Sequence, residues 1–281
     1  MPIIRYKPTS NGRRNSSVQS FADLTVSKPT VKSLLRSRKE HAGRLHGSIT
    51  VRHRGGGVRQ RIRAIDMRMD KYEIPGVVKT IEYDPLRNAR IALVAYKDGD
   101  RRYVVAPKDL KVGMEIMSSL QRGPIQLGNR YPLELIPPGL NVCLIELQPK
   151  AGAKMARSAG SYAVFMGVEG PHAQLRMPSS EVRLVSRTCF ATIGQVSNED
   201  FRLVRWGKAG RMRHRGVRPT VRGKVMNPVD HPHGGGEGRN PIGLKHPKTP
   251  TGKPALGVKT RRARASGHLI LQRRWTKKRS S

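Results

Sequence analysis

Apolar and polar residues alternate along this chain in short runs, and no long stripe of helical period appears. Residues 48–54 place Ile49 and Val51 on one face, which predicts a half-buried strand, and residues 77–83 predict another. Residues 88–96 and 101–106 flank the turn Lys97-Asp98-Gly99-Asp100 and predict a hairpin. Further short runs follow at 141–147, 161–168, 174–177, 182–185 and 189–196. They are punctuated by Pro137-Pro138, Pro149, Gly170-Pro171 and Pro178-Ser179-Ser180. Strands at intervals of about 8–12 residues predict small barrels rather than βαβ units. One weak helix is expected over 31–41. Residues 123–133, with Gly128-Asn129, are expected to divide two barrels. No internal repeat of fixed period is found.

Charge sharpens this division. Lys and Arg number 55 against 19 Asp and Glu, a formal net charge of +36. Residues 1–60 hold 13 basic and 2 acidic side chains, and residues 201–281 hold 22 and 2. Between them, residues 61–200 are nearly neutral. The chain therefore reads as a basic N-terminal extension (1–40), a first barrel (41–124), a second barrel (125–200) and a basic C-terminal extension (201–281). Beyond residue 200, 12 Gly, 7 Pro and 22 cations leave too few apolar groups for a core. Only residues 269–271 form an apolar patch there. Arms this cationic repel themselves in isolation and are expected to become ordered on a polyanion, for which nucleic acid is the simplest choice.

Several classes are disfavoured. The longest apolar stretch, residues 91–96, is far short of the roughly 18–20 needed for a membrane span, so no membrane partner is expected. The basic, polar residues 1–14 do not read as a signal peptide. Cys143 and Cys189 lie in apolar runs, read as core thiols, and fit a reducing compartment. Thirteen aromatics are too few for base stacking to dominate, so structured RNA would be read by shape and backbone.

Three constellations could carry chemistry. In the first, Arg52, His53, Arg54, Arg59, Arg61 and Arg63 surround Gly55, Gly56 and Gly57. Glycine lets backbone N–H groups approach phosphate, and Arg suits bidentate phosphate contacts. The Gly-Lys-Ser/Thr ending of a nucleotide-binding loop is absent. The second is a small-residue loop, 148–160, with Lys150, Lys154, Arg157 and Ser158. It could equally be a mobile surface loop. The third, residues 216–239, gathers Asp230, His231, His233 and Glu237 within eight residues. Acid–base catalysis or a metal site can be written for them, but His-x-His supplies only two ligands and no activated nucleophile stands nearby. The alternative is a Gly/Pro-rich surface fitted to RNA by hydrogen bonds.

The sequence GVRPTVRGKVMNPVDHPHGGGEGR (216–239) resembles the signature of the second protein of the large ribosomal subunit. RHRGGGVRQRIR (52–63), Ile65-Asp66, ARSAGSY (156–162), ATIG (191–194) and GKAGR (207–211) extend the likeness over nearly the whole chain. The start, IRYKPT (4–9), is similar to the bacterial form. The chain departs from the pattern at Val58, Gln60, Met67 and across 199–206. The resemblance implies a mainly β fold, an OB-like barrel followed by an SH3-like barrel, with long irregular basic extensions. It implies a primary binder of large-subunit rRNA, located near the peptidyl transferase centre and supporting subunit association. Small-subunit contact and neighbouring ribosomal proteins would be its partners. It would be cytoplasmic, within the ribosome, with no homo-oligomer, no cofactor, and magnesium only as an rRNA counterion. Arg157 matches an arginine that grips RNA, and His231 a histidine to which an organising rather than a catalytic role is assigned. Lys208, Arg211, Arg213, Arg218, Arg222, Asn227, His233, Gly234, Gly235, Gly236 and Arg239 complete the expected RNA-binding set. An enzyme or metal site built on Asp230, His231 and His233, or a general nucleic-acid compacting protein, are the rival readings.

Overall fold

The computed structural model describes residues 3–38, 43–237, 239, 241–262 and 265–274. Contacts divide the chain into two units. One comprises residues 1–39, 59–209 and 268–281, and the other 40–58 and 210–267.

The first unit holds the barrels. It begins with β1 (Ile3–Arg5), the short helix α1 (Asn11–Arg14) and β2 (Ser17–Gln19), which pairs antiparallel with β1. After a 3₁₀ turn at Lys32–Leu34 comes β3 (Leu35–Ser37). The second unit supplies β4 (Arg44–Leu45) and β5 (Ser48–Ile49), a minimal hairpin. Back in the first unit, β6 (Arg61–Arg63) pairs with β3. Next come β7 (Gly76–Glu82), β8 (Ile91–Tyr96), β9 (Arg101–Val105) and β10 (Glu115–Ile116), an antiparallel sheet in the order β10-β7-β8-β9. The Lys97–Asp100 turn joins β8 to β9 as expected, with Gly99 at φ 85°. Val78, Ala92, Val94, Val104 and Val105 fill the core of this first barrel.

The second barrel is built from β11 (Arg130–Pro132), β12 (Asn141–Cys143), β13 (Ile145–Glu146), β14 (Ala153–Met155), β15 (Ala163–Glu169), β16 (His172–Arg176), β17 (Val182–Ser186) and β18 (Phe190–Ile193). Its main sheet runs β11-β18-β12-β15-β16-β17 and ends in β19 (Ile270–Gln272), so the apolar patch at 269–271 finds a sheet edge. Tyr131, Leu133, Val142, Phe165, Leu175 and Ile193 are packed inside. The molecule is mainly β, with sheets that fit an OB-like and an SH3-like barrel.

Two local expectations fail for physical reasons. The helix over 31–41 is replaced by one 3₁₀ turn and β3; Val31 and Leu34 are drawn onto Ile91, Leu93 and Tyr103, while β3 pairs with β6. Residues 39–41 lie outside the described set. The strand over 48–54 shrinks to β5, because Thr50 and Val51 both donate to the Gly43 carbonyl and close a turn.

The N-terminal segment is docked by buried charge. Arg90, 1% exposed, donates from Nε and Nη2 to Asp23 at 2.7 and 3.1 Å, and from Nη2 to the Ser20 carbonyl. Buried Glu82 accepts from the Thr30 backbone and hydroxyl, and from Tyr103 Oη at 2.9 Å. These contacts tie residues 20–30 to β7, β9 and Arg90, just before β8, whereas composition alone gives a self-repelling arm.

Candidate nucleic-acid interface

The glycine-rich loop belongs to the second unit. His53, Gly55 and Gly56 adopt φ values of 63°, 116° and 66°. Gly55 N–H donates to Gly216 O at 2.9 Å, Val58 N–H to His214 O at 2.9 Å, and Arg218 N–H to His53 O at 3.0 Å. A Cβ on Gly57 would stand 2.9 Å from the Gly216 nitrogen, so only glycine permits this approach. The loop is thereby fastened to the segment that follows α2 (Ala209–His214). Arg52, His53, Arg54, Arg218 and Arg222 are exposed around it; Arg213 lies half-buried beside Gly56, and Arg211 is also half-buried.

The histidine segment forms a second turn cluster in that unit. Asp230 and His231 N–H groups both donate to Asn227 O, Gly234 N–H to His231 O, and Gly235 N–H to Met226 O. His231 is buried, with its ring where a Cβ on Gly223 would lie only 2.5 Å away. Its Nδ1 accepts the His233 backbone N–H at 3.0 Å, so the neutral ring carries its proton on Nε2. His233 Nε2 accepts the Lys248 N–H at 2.7 Å, which leaves its proton on Nδ1. The two rings lie 4.6 Å apart. Both histidines spend an acceptor nitrogen on the backbone. Among the described residues no third His, Cys, Asp or Glu joins them as a metal-binding group. Asn227, Gly235, Gly236 and Arg239 are exposed on this segment, and Gly234 is half-buried.

The first unit presents the second loop on a rigid base. Glu146 on β13, fully buried, accepts the N–H groups of Lys150 (3.0 Å), Gly152 (3.1 Å) and Phe190 (3.2 Å). Arg130 Nη2 donates to the same carboxylate at 2.9 Å, and its Nη1 to Leu144 O. Ala153 N–H donates to Met67 O, and Gly160 N–H to Val196 O. The loop is therefore framed at both ends, and Lys150, Lys154, Arg157 and Ser158 project from it exposed. Arg157 and Ser158 line a cleft of about 370 Å³ together with Arg87 and Asn88. Sequence reasoning overlooked Arg87 and Asn88, which lie just before β8 with no glycine-rich or basic run to mark them. It also overlooked Glu146, although a carboxylate inside an apolar run signals a buried partner.

The arginine series 52–63 is divided between the units. Arg59 and Arg61 are exposed on the first unit, as is Lys208. Arg63 is buried, with Nη1 donating to the Arg61 carbonyl, and so is turned away from solvent.

Several carboxylates of the first barrel are occupied internally. Arg102 bridges Asp66, Asp70 and Asp100, and the Arg102 guanidinium beside it holds the Asp70 carboxyl below its usual range. Lys71 pairs with Asp98 and Asp100, and its hydrogen bonds lower both carboxyls. By contrast, Arg52, Arg54, Arg59, Arg61, Lys150, Lys154, Arg157, Arg218 and Arg222 have no acidic partner among the described residues. Positive charge is thus left uncompensated on loops whose backbone is already held, the arrangement that suits phosphate contacts.

Two family matches cover most of the chain. Residues 31–118 match the family described as Ribosomal Proteins L2, RNA binding N-terminal domain. Residues 126–252 match Ribosomal Proteins L2, C-terminal domain.

Proposed function

The chain belongs to the ribosomal protein L2 family, and on that premise we propose that it pins rRNA with cationic loops shaped before RNA arrives. It is a structural, rRNA-binding protein of the large ribosomal subunit. The observation that carries the mechanism is the set of cations without an acidic partner on loops fastened by backbone hydrogen bonds such as Gly55 to Gly216, Val58 to His214 and Gly152 to Glu146. Such loops lose little conformational freedom on binding, so each phosphate contact is retained as affinity. Arg52, Arg54, Arg218 and Arg222 act in the second unit; Arg59, Arg61, Lys150, Lys154, Arg157 and Ser158 act in the first. His231 and His233 hold the 227–248 segment in shape, and Asn227 and Arg239 meet RNA from it. Placement near the peptidyl transferase centre, contact with the small subunit and other ribosomal proteins, a bacterial-type cytoplasmic ribosome, and magnesium as an rRNA counterion only belong to the same reading.

The test is binding of the purified chain to folded large-subunit RNA with duplex DNA as competitor. Strong preference for the RNA is expected. Replacing Arg52, Arg54, Arg59 and Arg61 with Gln should flatten the salt dependence by roughly 0.7–0.9 per lost phosphate contact. Equal competition by DNA would reduce the protein to a general polyanion binder, and an unchanged slope would remove these arginines from the interface.

A further inference from the structure

Residues 3–17 and 200–205 meet in the first unit around a cavity of about 660 Å³. Neither segment belongs to the three cationic constellations. The meeting is well defined. Ser17 N–H donates to Arg205 O at 2.9 Å, and Arg205 N–H returns to Ser17 Oγ at 2.8 Å. Tyr6 N–H donates to Ser16 O at 3.3 Å, and both Ser16 and Ser17 are buried. A Cβ on Gly207 would lie 2.3 Å from Ser16 Oγ, so the backbone at 207 runs in close contact with the N-terminal hairpin.

Four arginines, Arg5, Arg14, Arg202 and Arg205, line the cavity against one carboxylate, Asp200. None of the four has an acidic partner among the described residues. The remaining wall is mixed: the Tyr6 ring and Leu203 offer flat and apolar surface. Arg13 lies over the Tyr6 ring at 5.0 Å from its centroid. A bare phosphate needs charge but neither this volume nor an apolar wall. A nucleotide needs all three: guanidinium forks for phosphate, a ring and aliphatic surface for the base, and room for both.

We propose that this cavity takes a single unpaired nucleotide of the bound RNA, its phosphate held by Arg14 and Arg202 and its base lodged beside Tyr6 and Leu203. The proposal rests on the rRNA-binding reading and deepens it. Its consequence is local discrimination: a nucleotide splayed from its helix would dock here, whereas a continuous duplex would leave the cavity unfilled.

Two measurements on the full chain test it. Binding of folded large-subunit RNA is followed against salt for the wild type and for Arg14→Ala/Arg202→Ala. Both arginines are exposed and unpaired, so the fold should be retained, which the circular dichroism spectrum checks. The variant slope should fall by about one, the value for one to two single-strand phosphate contacts. In parallel, Tyr6 ring resonances are titrated in moderate salt with the four 5′-nucleoside monophosphates, the nucleosides and inorganic phosphate. At least one nucleotide should saturate the Tyr6 shift at a concentration several-fold below that of inorganic phosphate or its own nucleoside. Normal RNA binding with an unchanged variant slope would overturn the proposal. So would a Tyr6 response equal for inorganic phosphate and every nucleotide, which describes a plain anion cradle. Failure of the wild-type chain to prefer rRNA over DNA would instead overturn the broader reading, and the cavity's assignment with it.

Discussion

Glu146→Ala isolates the pedestal that holds the 148–155 loop. The substitution strands Arg130, which is 1% exposed, without its counter-charge, and removes the acceptor of three backbone N–H groups. Breaking one side of a buried ion pair costs about 3–5 kcal/mol. Each orphaned N–H adds about 1–3 kcal/mol unless water reaches it. Even the lower bound, about 3 kcal/mol, is a large share of the ~5–15 kcal/mol typical of a domain. Urea denaturation followed by tryptophan fluorescence and circular dichroism reads the loss. Two companions apportion it. Glu146→Gln keeps an acceptor oxygen and should cost less, about 1–3 kcal/mol. Arg130→Met added to Glu146→Ala removes the stranded cation and should recover about 2 kcal/mol relative to Glu146→Ala alone. Hydrogen exchange at Lys150 and Gly152 should quicken in every variant lacking the carboxylate. A loss below about 1 kcal/mol for Glu146→Ala, or no recovery in the double variant, would refute the argument that a buried charge supports this loop.

Further consequences follow from named contacts. Gly57→Ala forces a Cβ to 2.9 Å from the Gly216 nitrogen and should destabilise the second unit by about 1–3 kcal/mol, seen as faster proteolysis within 43–58; unchanged protection would show that the loop yields freely. Cys143 and Cys189 are pushed by burial up to about 12 and about 11, so a thiol reagent at neutral pH should modify neither until the chain unfolds. Fast reaction in the native state would contradict their placement in the core. Asp70, Asp98 and Asp100 have carboxyls lowered in the folded state by Arg102 and Lys71. Their stabilisation is present above the ordinary carboxylate range near 3.8 and is lost as pH falls through the lowered folded values. The urea midpoint should therefore drop on acidification below about pH 4, less steeply in Arg102→Met, which removes the cation that Asp70 and Asp100 share. Identical acid profiles would remove this cluster from the account.

Much of the architecture was legible along the chain because strands carry their own period. The β7–β8–β9 meander could be read from alternation and the Asp98-Gly99 turn, since both are local properties. The excess of cations was equally legible and pointed to a polyanion, as composition needs no fold to be counted. So were the glycine-rich and histidine-rich segments, whose chemistry is carried by contiguous residues. What contiguity cannot show is partnership. Val31 and Leu34 have a pattern compatible with a helix, and only the apolar surface of Ile91, Leu93 and Tyr103 decides for an extended segment. Arg63 has the same chemistry as Arg61, and only packing decides that one is buried while the other faces solvent. The N-terminal segment reads as a repelling arm until Asp23 meets Arg90, 67 residues away, and Thr30 meets Glu82, 52 residues away. Which carboxylates are consumed by the barrels, and hence which arginines remain for RNA, depends on distances between residues far apart in sequence. The kinds of residue and their local periods were determined by the chain itself. Which charges are neutralised, which loops are held, and the cavity joining residues 3–17 to 200–205 were decided by tertiary structure, because burial and pairing exist only once distant segments meet.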